Sequence, residues 1–216
     1  MTSQTIAIAG GHGQIALILE KLLVDAGNTV IAIVRNPDHV TDVEATGAKA
    51  LVLDLEQTDA ATLAAELPGV DVLVFAAGGG PGSGAARKLT VDRDAAVLLA
   101  DAAALAGIRR LLVVSAMKTD EFDPDSDDEF QIYLRAKSEA DAAIRERDLD
   151  WTIIRPGGLT NDPATGGVNI SQSLEPGMIP RADVAALIAT LIQTGRGVRD
   201  QFEVISGATP VADALA

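Results

Sequence analysis

Short runs rich in valine, isoleucine and leucine alternate with longer alanine- and leucine-rich stretches along nearly the whole chain, and this alternation restricts the fold more than any other feature. The short runs fall at Thr5–Ala9, Thr29–Val34, Ala50–Leu53, Asp71–Ala76, Arg110–Ser115, Trp151–Arg155 and Phe202–Ile205. Between them, apolar residues recur at helical spacing over Gln14–Asp25, Pro37–Thr46, Thr58–Glu66, Thr90–Ala106, Glu129–Arg147 and Arg181–Gln193. A strand that is apolar on both faces must be covered on both faces. Repeated βα units meet that requirement with a parallel sheet between two layers of helices.

The expected fold is therefore α/β, a three-layer Rossmann fold with a mostly parallel, doubly wound sheet and helices on both faces. Right-handed crossovers then bring the carboxyl ends of the strands to one edge, where ligands bind in open sheets of this kind. A length of 216 residues suits one domain, 1–216. Residues 156–180 are rich in Gly, Pro, Asn and Ser, and are expected to be an irregular, substrate-side region rather than another helix–strand unit.

Composition removes several classes of function. With no cysteine there is no disulfide, no thiol nucleophile and no cysteine-bound metal, and with His12 and His39 as the only histidines a zinc site is disfavoured. A net charge of −14 repels phosphate backbones, and no basic stripe offsets it, so no nucleic-acid partner is expected. No apolar run is long enough to span a bilayer, and Met1–Ile6 lacks the basic and apolar parts of a signal peptide. The expectation is a cytoplasmic protein with a small-molecule substrate and no membrane partner. Whether it is a monomer or a homodimer stays open.

The first strand runs directly into Gly10-Gly11-His12-Gly13-Gln14-Ile15-Ala16 and then into an amphipathic helix. Gly11, Gly13 and Ala16 fit the spacing G-x-G-x-x-[G/A] in the strand–loop–helix context that this fingerprint needs. Small residues allow the tight turn and the close approach of backbone to a diphosphate, while the helix N-terminus turns its amides toward the anion. The reading is a dinucleotide site formed by Gly10, Gly11, His12, Gly13, Gln14 and Ile15. After the second strand the chain reads Val34-Arg35-Asn36-Pro37, with no carboxylate before Asp38. A guanidinium in that place can pair with a 2′-phosphate, so the expectation is NADP(H) preferred over NAD(H), with a solvated arginine at a strand end as the alternative. For His12 two readings stand, a phosphate neighbour or a bystander. Asp54 and Leu55 offer an edge to the adenine, and Ala76, Ala77 and Gly78 let backbone run along a cofactor; ordinary turns are the alternative.

Ser115 ends the fifth strand, and the helix after it contains Tyr133-Leu134-Arg135-Ala136-Lys137. Residues four apart share a helix face, so the only tyrosine and a lysine converge on one ligand or, in the plainer reading, pack together on a surface. In this order the motifs AGGHGQIA, VRNP, LDL, FAAG, Thr90-Val91-Asp92, VVSAM, YLRAK, LDWTIIRPGGLT and PRADVA cover nearly the whole chain. It resembles the atypical short-chain dehydrogenase/reductases, and within them the NAD(P)H-binding branch with NmrA-like and biliverdin-reductase-like members.

That resemblance implies catalytic roles for Ser115, Tyr133 and Lys137. Tyr133 would give a proton to a carbonyl oxygen as hydride arrives from the nicotinamide, and Ser115 would hydrogen-bond the same oxygen. Lys137 would hold the nicotinamide ribose and, as a nearby cation, lower the tyrosine pKa from its usual value near ~10. Pro156, Gly157, Gly158 and Leu159 would border the nicotinamide. The function implied is an NADP(H)-dependent oxidoreductase acting on a small carbonyl, quinone or flavin-like compound. A cofactor-binding redox sensor and a sugar-nucleotide-type epimerase are the alternatives. The acidic run Asp120, Glu121, Asp123, Asp125, Asp127, Asp128 and Glu129 reads as a lid over the site or as a solvated surface, and lacks the spacing of a calcium loop. Arg87 and Lys88, after the segment GGGPGSG, read as phosphate ligands or surface charge.

Overall fold

The computed structural model describes residues 3–80 and 82–215. Met1 and Thr2 of the expected N-terminal lead-in, Pro81 of the glycine-rich segment and Ala216 lie outside the described residues. The strands are β1 (Thr5–Ala9), β2 (Thr29–Val34), β3 (Lys49–Val52), β4 (Val72–Phe75), β5 (Arg110–Val114), β6 (Asp150–Pro156), β7 (Gly158–Thr160), β8 (Gly167–Ser171), β9 (Met178–Pro180), β10 (Asp200–Ser206) and β11 (Thr209–Pro210). The helices are α1 (Gln14–Asp25), α2 (Val40–Ala45), α3 (Ala60–Ala65), α4 (Ala85–Arg87), α5 (Ala96–Ala106), α6 (Glu129–Arg145) and α7 (Arg181–Thr194).

The main sheet has the order β11-β8-β10-β6-β5-β4-β1-β2-β3, and from β10 to β3 every pairing is parallel. This is the expected doubly wound Rossmann sheet. Alternate residues of each strand feed two cores. Ile6 and Ile8 of β1 meet α1 and α7 on one face, whereas Ala7 and Ala9 meet the layer of α3, α5 and α6 on the other. At β1 the chain moves outward to β2 and β3, then returns to place β4 on the opposite side of β1. The loops after β1 and β4 therefore diverge around a crevice at the carboxyl ends, the position where this topology leaves room for a ligand.

Two expectations are corrected. Residues 156–180 are not irregular throughout. They contain β8, which joins the sheet antiparallel to β10, and β7 and β9, which form a separate parallel pair. The alternation signal is weak there because these strands are short and only partly covered. The expected helix over Thr90–Ala106 begins earlier, as a π-helix at Lys88–Ala95 that passes into α5. Widened helical turns of this kind are rare and concentrate at functional sites. This one tucks Lys88 and Asp92 inward, both buried.

Helix α6 starts at Asp128, whose carboxylate accepts from the amides of Phe130 at 2.9 Å and Gln131 at 3.2 Å. Replacing Asp128 with alanine is expected to cost about 1 kcal/mol in urea melts; an unchanged midpoint would show that α6 starts without this cap.

Candidate functional site

The glycine loop is shaped by close approach on two sides. Gly10 has φ +82°, and a Cβ on it would lie 2.6 Å from Ala77 Cα. A Cβ on Gly11 would lie 2.6 Å from Ala32 Cβ. The loop thus presses against β2 on one side and the turn after β4 on the other, with backbone rather than side chains facing the crevice. The Gly11 amide donates to Ile33 O at 3.0 Å, and the Gly13 amide donates to Gly10 O at 2.8 Å. Gly13 is the N-cap of α1 and brings no side chain to cap it. First-turn amides of a helix are otherwise unpaired, so they are available to an anion.

Two clefts meet at the turn after β4. The first, about 280 Å³, is lined by Gly10, Gly11, His12 and Gly13 and by Arg35, Asp54 and Leu55. The second, about 620 Å³, is lined by Ile15, Ser115, Tyr133, Lys137 and Leu159. Ala76, Ala77 and Gly78 line both. Together they form one groove whose size suits a small-molecule ligand. The small-residue cradle fits a dinucleotide: glycine at 10 and 11 lets the loop pack against Ala77 and Ala32, which leaves its backbone at the wall of the groove along which a diphosphate would run.

Of the residues singled out from sequence, Gln14 is exposed and lines neither cleft. Nor do Pro156, Gly157 and Gly158. The two glycines serve the pairing of β7 with β9: Gly158 donates to Gly177 O at 2.8 Å, and a Cβ on Gly157 would sit 2.2 Å from the same carbonyl oxygen. Their smallness is taken up by chain packing, and only Leu159 of that turn reaches the groove.

In the second cleft each candidate side chain has a partner that sequence spacing does not reveal. Ser115 Oγ donates to Asp141 Oδ2 at 2.8 Å. The same oxygen takes Arg155 Nε at 2.9 Å, and Arg155 also reaches Asp120 at 2.7 Å. Lys137 Nζ donates to Val114 O at 3.1 Å and lies 3.4 Å from Asp92 Oδ1. Asp92 Oδ2 accepts from the Gly79 amide at 3.0 Å, tying the lysine to the turn after β4. Tyr133 lies below Lys88, whose Nζ is 5.5 Å from the ring centroid, and beside Phe130.

Burial pushes the Tyr133 phenol pKa up, and the nearby Asp92 and Asp141 carboxylates push it further. This corrects the expectation that Lys137 lowers it: the ammonium is already paired with Asp92, so little of its field is left for the phenol. Burial also pushes Asp141 up, against the opposing Arg155 and Ser115. The Arg155 hydrogen bond holds Asp120 below the usual carboxylate range despite partial burial.

Part of the acidic run is therefore structural. Asp120 anchors Arg155 and accepts from Ser138 Oγ at 2.7 Å, while Asp128 and Glu129 stand at the wall of the second cleft. Glu129 accepts from the Gly84 amide at 3.3 Å and lies 3.6 Å from Lys88. In the first cleft, Glu56 Oε2 is shared by Arg35 at 3.0 Å and Arg87 at 3.1 Å. Sequence reasoning missed Glu56, His39, Asp92 and Asp141 as site residues. Only Asp92 had a signal, its place in the Thr90-Val91-Asp92 motif. No helix among the described residues is long and apolar enough to cross a membrane.

The profile of a family described as NAD(P)H-binding matches residues 10–194. A Bacillus subtilis (strain 168) protein named "Uncharacterized sugar epimerase YhfK" is 36% identical over 211 residues, covering 97% of this chain and 98% of that one. A solved structure from Bacillus halodurans, named as a candidate NAD-dependent epimerase/dehydratase, superposes with a TM-score of 0.90 at 33% identity and covers 99% of each chain. The oxidoreductase ylbE from Lactococcus lactis superposes with a TM-score of 0.86 at 28% identity, over 98% of this chain and 95% of that one.

Proposed function

Since this chain belongs to the NAD(P)H-binding family, as an atypical short-chain dehydrogenase/reductase, we propose that it is an oxidoreductase that prefers NADP(H) to NAD(H). It transfers hydride between the nicotinamide and a small carbonyl, quinone or flavin-like compound. The observation that carries this reading is the convergence of Ser115, Tyr133 and Lys137 on a cleft that shares Ala76, Ala77 and Gly78 with the glycine-lined groove. A bound nicotinamide supplies the hydride.

The chain's own residues supply the proton and the positioning. Tyr133 donates to the carbonyl oxygen. Its raised pKa keeps the phenol protonated at neutral pH, the state that reduction requires. Ser115 turns its hydroxyl hydrogen from Asp141 to the same oxygen, and Asp141 stays neutralised by the Arg155 guanidinium. An ammonium has three donors, so Lys137 keeps one for a ribose hydroxyl after serving Val114 O and Asp92. The apolar side chains of Ile15, Val114, Leu159 and Phe130 leave a wall suited to a ring rather than to a strongly hydrated substrate.

Incubation with NADPH and a panel of carbonyls, quinones and flavins tests the activity, with coenzyme oxidation followed by absorbance. Replacing Arg35 with alanine tests the coenzyme choice: NADP⁺ affinity is expected to fall about tenfold or more and NAD⁺ affinity less than about twofold, because only one carries a 2′-phosphate. Equal losses would contradict the preference. The names carried by the relatives support a second reading, a sugar epimerase that regenerates its coenzyme. It predicts inversion of a sugar centre with no net loss of NADPH.

A further inference from the structure

We propose that His12 and His39 complete a 2′-phosphate subsite with Arg35, and that a proton held by this imidazole pair decides the choice of NADP over NAD. The proposal rests on the coenzyme reading above.

The two histidines come from different elements. His12 lies in the loop after β1 and His39 in the short 3₁₀ turn after β2, Pro37–His39. Their rings nevertheless stack, with centroids 3.6 Å apart and planes at 12°. Both line the first cleft beside Arg35 and Asn36. His12 Nε2 lies 2.8 Å from Asp42 Oδ2 on α2.

The surrounding charges show why a proton on the stack matters. Arg35 follows β2 and Arg87 ends α4, and both are bound to the same oxygen of Glu56. Against these two cations stand Asp42 on α2, Asp38 beside His39, and Asp54 and Glu56 after β3. With neutral imidazoles the two arginines of the wall are matched by Asp54 and Glu56, and Asp38 and Asp42 stand just outside it, so no net positive charge meets an entering phosphate dianion. Protonation of the stack adds positive charge where the phosphate sits. It also adds N–H donors beside those that Arg35 keeps after its single contact with Glu56.

Binding of NADP⁺ is therefore coupled to a proton on the stack beside Arg35, and it weakens as rising pH removes that proton. NAD⁺ has no 2′-phosphate, and its affinity does not sense the stack. The sign is diagnostic. Arginine recognition alone keeps NADP⁺ preference level or raises it with pH as the phosphate ionises, whereas the histidine pair makes it fall.

The test is calorimetric titration of the intact chain with NADP⁺ and with NAD⁺ from pH 6.5 to 8.5. The ratio of affinities is expected to fall about tenfold over that range, and at pH 7.5 the NADP⁺ enthalpy should vary with the ionisation enthalpy of the buffer, reporting proton uptake. His39→Gln should flatten the ratio, with NAD⁺ affinity kept within about twofold as the control for an intact groove, and His12→Gln, in the glycine loop itself, should flatten it too, judged by the ratio alone. A ratio that stays level or rises in the unmodified chain overturns the proposal alone. So does a decline that survives in both variants. Failure of the unmodified chain to bind either coenzyme overturns the coenzyme reading with it.

Discussion

Replacing Tyr133 with phenylalanine is expected to leave NADPH affinity within about twofold and to lower reduction of a carbonyl or quinone substrate by about a hundredfold or more. The substitution removes one oxygen and keeps the ring, so the contacts with Phe130 and Lys88 persist. Lys137 stays tied to Val114 O and Asp92, neither of which depends on the phenol. What disappears is the proton donor facing the second cleft. In the unmodified chain, the raised phenol pKa predicts that reduction holds steady through neutral pH without a tyrosine ionisation. A variant that binds NADPH and turns over as fast as its parent would remove Tyr133 from the chemistry. If the parent itself binds NADPH and no acceptor in the panel oxidises it, a sensor role gains.

The second large effect concerns stability, far from the cleft chemistry. Glu20 lies on α1 and is fully buried. One carboxylate oxygen accepts from Thr46 Oγ1 at 3.1 Å and the other has no partner among the described residues. Burial pushes its pKa up to about 7, against the lowering effect of the Thr46 bond. Since the folded chain holds this proton more tightly than the unfolded chain, the contribution is fully present below about pH 4.5. It is lost as pH rises through about 7. The resulting penalty above neutral pH is about 3 kcal/mol, the free energy that separates a carboxyl titrating at about 7 from one at 4.5. Glu20→Gln keeps the size and shape of the protonated acid and cannot ionise. It should match the parent near pH 4.5 and exceed it by about 2–3 kcal/mol at pH 8 in urea melts. A difference that does not change between pH 5 and 8 would show that Glu20 is already satisfied when ionised.

Strand β1, the glycine loop and helix α1 were legible because everything that specifies them is local. The strand is a run of five residues, the loop needs small residues at fixed offsets, and α1 follows without a gap. The spacing of Tyr133 and Lys137 was legible for the same reason, since one helical turn brings them to one face. The turn Pro156–Gly158 shows the opposite case. Its glycines satisfy a motif, yet Gly157 is required small by the carbonyl of Gly177 and Gly158 by the side chain of Met178, twenty residues away, through the pairing of β7 with β9. A motif reports that a residue must be small, not which neighbour makes it so.

The partners of the candidate side chains belong to that second kind. Ser115 meets Asp141, Lys137 meets Asp92, and Arg35 and Arg87 meet on Glu56, each across elements with no common period in the chain. Tyr133 had been expected to have a depressed pKa because the lysine was visible in its own helix. Burial reverses the direction, and the carboxylates that add to it come partly from the π-helix, which no pattern announced.

By itself the sequence determined the alternation of strand and helix, the parallel sheet that follows from it, and the edge where small residues and ionisable groups collect. Apolar periodicity and glycine spacing act over one or two turns of chain, so they can be read in order. Only the tertiary structure decided which charges neutralise which, where the histidines stack and how high a buried acid titrates. Those outcomes depend on distances of a few ångströms between distant segments, and electrostatic energies at that range are set by burial and geometry rather than by residue order.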